Sequence, residues 1–303
     1  MRIGITFLYT IFRYGYPPSV RDVFRSIPEI RKLGFRFLEM EGLGAEHLRQ
    51  MSAARQDLRR ALDDAGLHVH NFCVVDAGLV SLDAGRRRRA LDRFKLGADL
   101  AAFLGAETLH LASYAPPVTY LEARPYELGK NYRFADRTRL AIPKGFEWDR
   151  VWGALVESCG QCADAAARQG KTVIMEPRVG EVICSPDSLL RLIEHVGRPN
   201  FKANFDTGHF SAQRENPVLA LAKLKGRFAN IHISDNDPAN TDHLPIGDGT
   251  IDWREFFRVL KQMKYDGYLG LDLGARRSLV AGYRRSLDYL RSLAAELRLR
   301  LEV

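Results

Sequence analysis

Cysteine is scarce in this chain: Cys73, Cys159, Cys162 and Cys184 are the only four in 303 residues. Thiols so few and scattered exclude a disulfide-stapled fold. Cys159 and Cys162 make one C-x-x-C, a redox or zinc spacing, but no second pair accompanies it. The neighbouring Ala163, Ala165, Ala166 and Ala167 read as helix, where residues i and i+3 share a face. Two small apolar residues on one helix is therefore the preferred reading. Long apolar runs are absent too; none approaches the ~18–20 residues needed to cross a bilayer. The apolar start, Met1 to Thr10, runs into Arg13, Tyr14 and Tyr16 without a small-residue cleavage site. It reads as a first strand and not a signal peptide, so the expected location is the cytoplasm. After that strand stands Tyr9-Thr10-Ile11-Phe12-Arg13, with no G-x-G-x-x-G phosphate loop.

What is present is the composition of an ordinary globular protein, 46% hydrophobic and 27% charged, which excludes disorder and collagen-like repeats. The net charge of +8 is compatible with nucleic acid, an anionic membrane or an acidic substrate. The densest basic run, Arg86 to Arg89, points in every direction of a helical turn. It precedes an apolar face of Leu91, Phe94, Ala98 and Ala101, and so reads as the solvated start of a helix.

Strand-sized runs alternate with amphipathic segments along the whole chain. The runs are Ile3 to Leu8, Phe35 to Glu41, Leu67 to Val75, Thr108 to Ala112, Thr172 to Glu176, Phe201 to Asp206, Phe228 to Ile233 and Tyr268 to Leu273. Helix starts are marked by Ser185-Pro186, Asn216-Pro217 and the Asp252-Trp253-Arg254-Glu255 box. Gly34, Gly66, Gly105, Gly170 and Gly267 stand where helices give way to strands. Eight strand–helix units in about 300 residues predict an α/β fold, a closed (β/α)8 TIM barrel. No linker is visible, so residues 1–303 read as one domain. One connection is out of scale: 113–148, after the fourth strand, with Pro116, Pro117, Tyr120, Pro125, Tyr126, Tyr132, Phe134 and Pro143. Its aromatics argue against disorder. Its place predicts an insertion on the catalytic face, as a lid or an interface arm.

Acidic and histidine residues fall at strand ends, which converge on one face of a barrel. Glu176 ends strand five and Asp206 strand six, while His232 and Asp272 lie near the ends of strands seven and eight. One such acid alone is as often a helix cap or an ion-pair partner. Three carboxylates and an imidazole in register would repel one another unless a cation sat among them. Mixed oxygen and imidazole donors suit one divalent Mn, Co, Mg, Fe or Zn ion. His110 on strand four, His209 three residues after Asp206, and His243 after strand seven fall on the same face. Glu39 on strand two is a further candidate, with a structural ion pair as its plainer reading. His70 and Asn71 on strand three are weaker ones.

Several segments together resemble the xylose isomerase-like barrel family of sugar isomerases and epimerases, which includes an apurinic endonuclease branch. They are Gly34-Phe35 with Phe37-Leu38-Glu39, Leu104-Gly105-Ala106, Glu176-Pro177, Asp206-Thr207-Gly208-His209 and Ile231-His232-Ile233-Ser234-Asp235. The stretch from His243 to Trp253 continues them, as H-x-P-x-G-x-G-x-x-D-W, followed by Gly267-Tyr268 and Asp272. The resemblance covers essentially the whole chain. It implies Glu176, Asp206, His232 and Asp272 as metal ligands, with Asp272 a departure, since the family usually has Glu there. It implies His209 as a substrate contact. His243, Glu39 and Arg178 are further candidates for binding substrate; a surface arginine is the plainer reading of Arg178. Glu176, Asp272 and His110 are the candidates for proton transfer.

The function so implied is a metal-dependent sugar isomerase/epimerase that removes a proton beside the carbonyl of a keto-sugar or polyol. The same site would support a lyase or dehydratase acting on a keto-sugar, keto-inositol or keto-glycoside, with His110 as an independent base. An abasic-site endonuclease ranks third, because its D-x-H pair would need Asp where Thr241 precedes Asp242 and His243. A non-enzymatic binding barrel ranks last. The expected partner is a small carbohydrate, without membrane or nucleic acid. Copies of the chain are expected to associate, a hetero-oligomer being the other arrangement.

Overall fold

The computed structural model of the chain describes residues 1–122, 139–237, 242–274 and 278–303. Eight parallel strands close into a barrel: β1 (Arg2–Ile5), β2 (Phe37–Leu43), β3 (His68–Val75), β4 (Thr108–Ala112), β5 (Thr172–Glu176), β6 (Phe201–Asp206), β7 (Phe228–Ile233) and β8 (Tyr268–Leu271). Each pairs with its neighbour in sequence, and β8 closes on β1. The α/β class and the closed barrel expected above are thus present.

Six strand limits differ from the apolar runs, most of them because the run extends past the ladder. β1 stops at Ile5, and Leu8 already belongs to the helix Leu8–Tyr14. The run continues because Phe7, Leu8, Tyr9 and Ile11 are buried in their turn. β2 begins two residues after Phe35, which is buried but outside the ladder. β8 stops at Leu271, so Asp272 stands just past the strand. An apolar run records burial, and burial does not end where the ladder does.

Helices flank the barrel, and Phe94, Trp253, Phe256 and Tyr283 from the helices with Phe72 and Phe205 from the strands and Phe35 before β2 are all fully buried. Ser185 and Asn216 cap the two helices that follow them, each with Pro in the first turn. Asp252 accepts the N–H of Glu255 at the start of Trp253–Gln262. Cys159 and Cys162 are buried free thiols on the helix Trp148–Ala167. At the last helix-to-strand turn, Lys264 and not Gly267 takes the positive φ, at 54°. Gly267 is demanded by space instead: a Cβ there would lie 2.5 Å from the Tyr265 hydroxyl.

The N-terminal end of the barrel is plugged. Phe37, His68 and Tyr268 pack edge-on or stacked, and His70 stacks on Tyr268 with centroids 4.3 Å apart. Arg2 lies 4.1 Å over the same ring, whose hydroxyl donates to Glu107 at 2.6 Å. His70 therefore points inward, beneath the opposite end, whereas Asn71 accepts the Thr108 hydroxyl. In 113–148 the structure shows a small antiparallel pair, Thr119–Tyr120 with Leu140–Ala141, too short for a pattern to betray. Residues 123–138 of that expected lid or arm, with Pro125, Tyr126, Tyr132 and Phe134, lie outside the described residues. Among the described residues no helix is long and apolar enough to cross a membrane.

Candidate active site

The C-terminal ends of β5–β8 bring Glu176, Asp206, His232 and Asp272 to one buried mouth, and Glu39 reaches it from the first half of β2. Two breaks in register help to aim them. One falls between Leu38 and Glu39 on β2, the other between Ala203 and Asn204 on β6. An irregular ladder re-aims the side chains that follow it.

Among the described residues two groups share His232, Glu176 with Asp206 and Glu39 with His110, each offering donor atoms within 4.8 Å of one another. His232 Nδ1 lies 2.7 Å from Glu176 Oε1 and 3.7 Å from Asp206 Oδ2. Neither approach has hydrogen-bond geometry, and Nδ1 and Asp206 Oδ2 are both buried without a hydrogen-bond partner. Lone pairs that converge without bonding one another suit a shared cation. The other edge of the imidazole is fixed: Nε2 lies 3.0 and 2.9 Å from the two oxygens of Glu39. A carboxylate only accepts, so Nε2 carries the hydrogen and Nδ1 is turned to the cluster.

The oxygens left over are also engaged. Asn204 Nδ2 donates to Glu176 Oε1 at 3.0 Å, and Asn230 Nδ2 to Glu39 Oε1 at 3.0 Å. Asp206 Oδ1 accepts the N–H of His209 at 2.7 Å, as cap of the helix Thr207–Ala212. Arg178 is no plain surface arginine: its Nε donates to Glu176 Oε2 at 2.6 Å. Burial works against charge on Glu176, but Arg178 and then His110 outweigh it and hold the carboxyl well below the usual range. Burial likewise opposes charge on His232, and Glu39 chief among its acids overrides it, so its proton affinity rises well above an ordinary imidazole's. Three carboxylates around one histidine and one arginine leave negative charge in excess, and a second proton on His232 answers that excess where a cation does not.

Asp272 stands apart from the three. Its Oδ1 accepts the Thr6 hydroxyl at 2.6 Å, and its Oδ2 lies 3.0 Å from His243 Nδ1. Burial would raise its carboxyl, but the hydrogen bond and charge of His243 bring it down to about 2. Burial opposes charge on His243 as well; Asp272 prevails and lifts it to about 9. His209 packs edge-on against His243, centroids 5.1 Å apart, and burial lowers it to about 4. His110 Nε2 is 3.6 Å from Glu176 Oε2, and its ring meets His232 edge-on at 5.3 Å. Glu39, His110, Glu176, Arg178, Asp206, His209, His232, His243 and Asp272 thus fall in or around one mouth, whereas the weaker candidates His70 and Asn71 lie toward the plugged end. Thr241 lies outside the described residues.

Four supports were not picked out in advance. Asn204, Asn230 and Glu41 each stand two positions from a named candidate on the same strand, the spacing that puts side chains on one face. Removal of the Glu41 carboxyl from water, partly offset by Arg178, pushes it up to about 8. Asp235 is the fourth. It accepts the N–H groups of Gly247 and Ile251 and the indole N–H of Trp253, at 2.9, 3.1 and 2.8 Å. That fastens the loop which delivers His243, itself at a positive φ of 48°.

Comparison with known proteins places these features in context. The family described as xylose isomerase-like TIM barrel matches residues 27–293. An uncharacterised protein of Bacillus subtilis, YfiH, is 25% identical over 88% of this chain and 93% of its own. An L-ribulose-5-phosphate 3-epimerase of Salmonella heidelberg is 25% identical over 78% of this chain and 77% of its own. The solved structure of a D-tagatose 3-epimerase-like protein superposes with a TM-score of 0.75 at 19% identity, covering 98% of this chain and 100% of that one.

Proposed function

This chain belongs to the xylose isomerase-like TIM barrel family, and on that premise we propose that it is a metal-dependent sugar epimerase or isomerase. The observation that carries the reading is the convergence of Glu176, Asp206 and His232, with unpartnered donor atoms on Asp206 and His232 turned inward. The 3-epimerase among its relatives supports the sugar class.

Glu176, Asp206 and His232 would hold one divalent ion, with Asp272, the fourth ligand expected from the sequence, standing beside them on Thr6 and His243. Mixed carboxylate and imidazole donors leave its identity open among Mn, Co, Mg, Fe and Zn. When bound, such an ion polarises the oxygens of a keto-sugar and acidifies the adjacent C–H. Glu176 is an ionised carboxylate and takes that proton. Arg178 on its Oε2 and Asn204 on its Oε1 fix its direction. Asp272, held between Thr6 and His243, lines another side of the mouth. His209, His243 and Arg178 are the groups available to substrate hydroxyls. Return of a proton to the opposite face of the same carbon inverts the centre; loss of a group beta to it gives elimination instead.

The test is a screen of ketoses in D2O with added Mn, read by NMR. Deuterium at the carbon next to the carbonyl, with appearance of the epimer, is expected, and both should vanish in Glu176→Gln. A dehydrated or cleaved product would make the enzyme a lyase. Absence of any exchange with metal-loaded protein would refute the proposal.

A further inference from the structure

The Arg86–Arg89 run does not belong to the site just described; Arg86, Arg88 and Arg89 are exposed, as a solvated helix start would be, and two of them also line a cavity. Arg86 and Arg89, with Arg93, project at i, i+3 and i+7 from the helix Ala84–Leu104 along one wall of a cavity of about 750 Å³. The opposite wall comes from the loops after β4 and β5, through Tyr114 and Glu181. Both loops leave strand ends that border Glu176, and Glu181 feels the charges of Arg178 and Glu176, so the cavity lies at the same end of the barrel as the proposed reaction centre, outside the residues that form it. That volume is in the range of ordinary ligand clefts, ~300–1,000 Å³.

The charges lining this cavity do not cancel. Arg93 is ion-paired with Asp76. Glu181 is spent on Ser113 and on the N–H of Tyr114, at 3.1 and 2.6 Å. Neither Arg86 nor Arg89 pairs with an acid among the described residues. Two guanidinium groups therefore face a concave surface whose remaining carboxylate, Glu181, is ion-paired with neither of them among the described residues. The wall facing them is fixed, since the Tyr114 hydroxyl accepts the N–H of Asp76 at 2.5 Å. Arginine's planar fork is matched to the oxygens of a phosphate or carboxylate.

We propose that Arg86 and Arg89 form a subsite for an oxyanion at the end of the substrate distant from its reacting carbon, a phosphate ester or a carboxylate. This rests on the reading of the chain as a sugar epimerase or isomerase and narrows it to anionic keto-sugars.

The experiment compares wild type, the double variant R86Q/R89Q, and R88Q as a control on the same helix but off the cavity. Three probes are titrated into the Mn-loaded protein: a ketopentose phosphate, a ketohexuronate and the neutral ketopentose. Inorganic phosphate is titrated separately, and deuterium exchange is followed in parallel. The double variant should weaken one anionic ketose by tenfold or more, about tenfold for each charged hydrogen bond lost. The neutral ketose, the metal content and all results for R88Q should stay as in wild type. Whichever anionic probe responds assigns phosphate or carboxylate. Equal binding of both anionic probes and of inorganic phosphate by wild type and double variant would overturn the proposal. If an anionic probe binds through these arginines yet no ketose exchanges deuterium, the epimerase reading fails while the oxyanion subsite stands.

Discussion

Glu39→Gln is the substitution that separates a positioning role from a substrate contact at the second strand. The two carboxylate oxygens lie 3.0 and 2.9 Å from His232 Nε2, and Oε1 also accepts from Asn230 at 3.0 Å. An amide keeps the shape but makes one of these positions an NH2, which cannot accept from Nε2–H. Turned either way, it sets a donor against His232 or against Asn230. It also removes the charge that makes the imidazole basic. Comparable outer partners of metal-binding histidines are worth 10–100-fold in affinity, about 1.4–2.7 kcal/mol. Competition for Mn against a fluorescent chelator should show that loss in Glu39→Gln, with circular dichroism unchanged. A larger loss is expected for Asp206→Ala, which deletes a donor outright. If Glu39→Gln held Mn within twofold of wild type while weakening sugar binding, Glu39 would be a substrate group and the reasoning from His232 would be wrong.

Three further outcomes follow from single contacts. Asp235→Ala orphans three backbone N–H groups, of Asn236, Gly247 and Ile251, and the Trp253 indole, so denaturant unfolding should show a loss of about 3 kcal/mol, with Asp235→Asn losing less. Gly208→Ala sets a Cβ 2.5 Å from Ser234 Oγ, which itself lies 3.2 Å from His243 Nδ1; turnover should fall about tenfold or more through misplaced groups, with the melting temperature nearly unchanged. Glu107, whose hydrogen bond from His68 and further partners outweigh burial, is brought from 4.5 to about 2 on folding. A depressed carboxyl stabilises above its unfolded pKa and ceases to do so as pH falls through the folded one. The gap between wild type and Glu107→Gln should therefore be full at pH 7 and close between 4.5 and about 2. Half-exposed, this group should contribute about 1 kcal/mol or less; a gap that widened in acid would contradict the assignment.

The barrel and the acids at its mouth were legible because they obey short-range rules. Short runs of continuous burial mark strands covered on both faces, and a parallel barrel sends every strand end to one face. The spacing from Glu176 to Asp206 to His232 is one strand–helix unit each, and all three meet. The supports were less visible, although Asn204, Asn230 and Glu41 obey the same two-residue period as their neighbours. An asparagine in a strand carries no chemistry of its own until its partner across the barrel is known. Arg178 looked like surface because nothing in the order of residues tells that its side chain turns back onto Glu176.

Asp272 shows where one-dimensional reading stops. By position it is the fourth ligand, and a strand-end acid in register is a fair candidate. Its partners, however, come from Thr6, 266 residues away, and His243, 29 residues away. Together they give both its oxygens a neighbour of their own. An aspartate is one carbon–carbon bond, about 1.5 Å, shorter than the glutamate usual there, and this one is held by those neighbours and not by the trio of Glu176, Asp206 and His232. Restoring that length should let the carboxylate reach the trio without leaving His243 unpaired. Asp272→Glu is therefore expected to bind Mn more tightly than wild type, by several-fold in the same chelator competition. Asp272→Asn should bind it only slightly more weakly, since three donors remain. A loss in Asp272→Asn as large as that in Asp206→Ala would mean that Asp272 already serves as a full ligand and that its contacts with Thr6 and His243 give way when the ion binds.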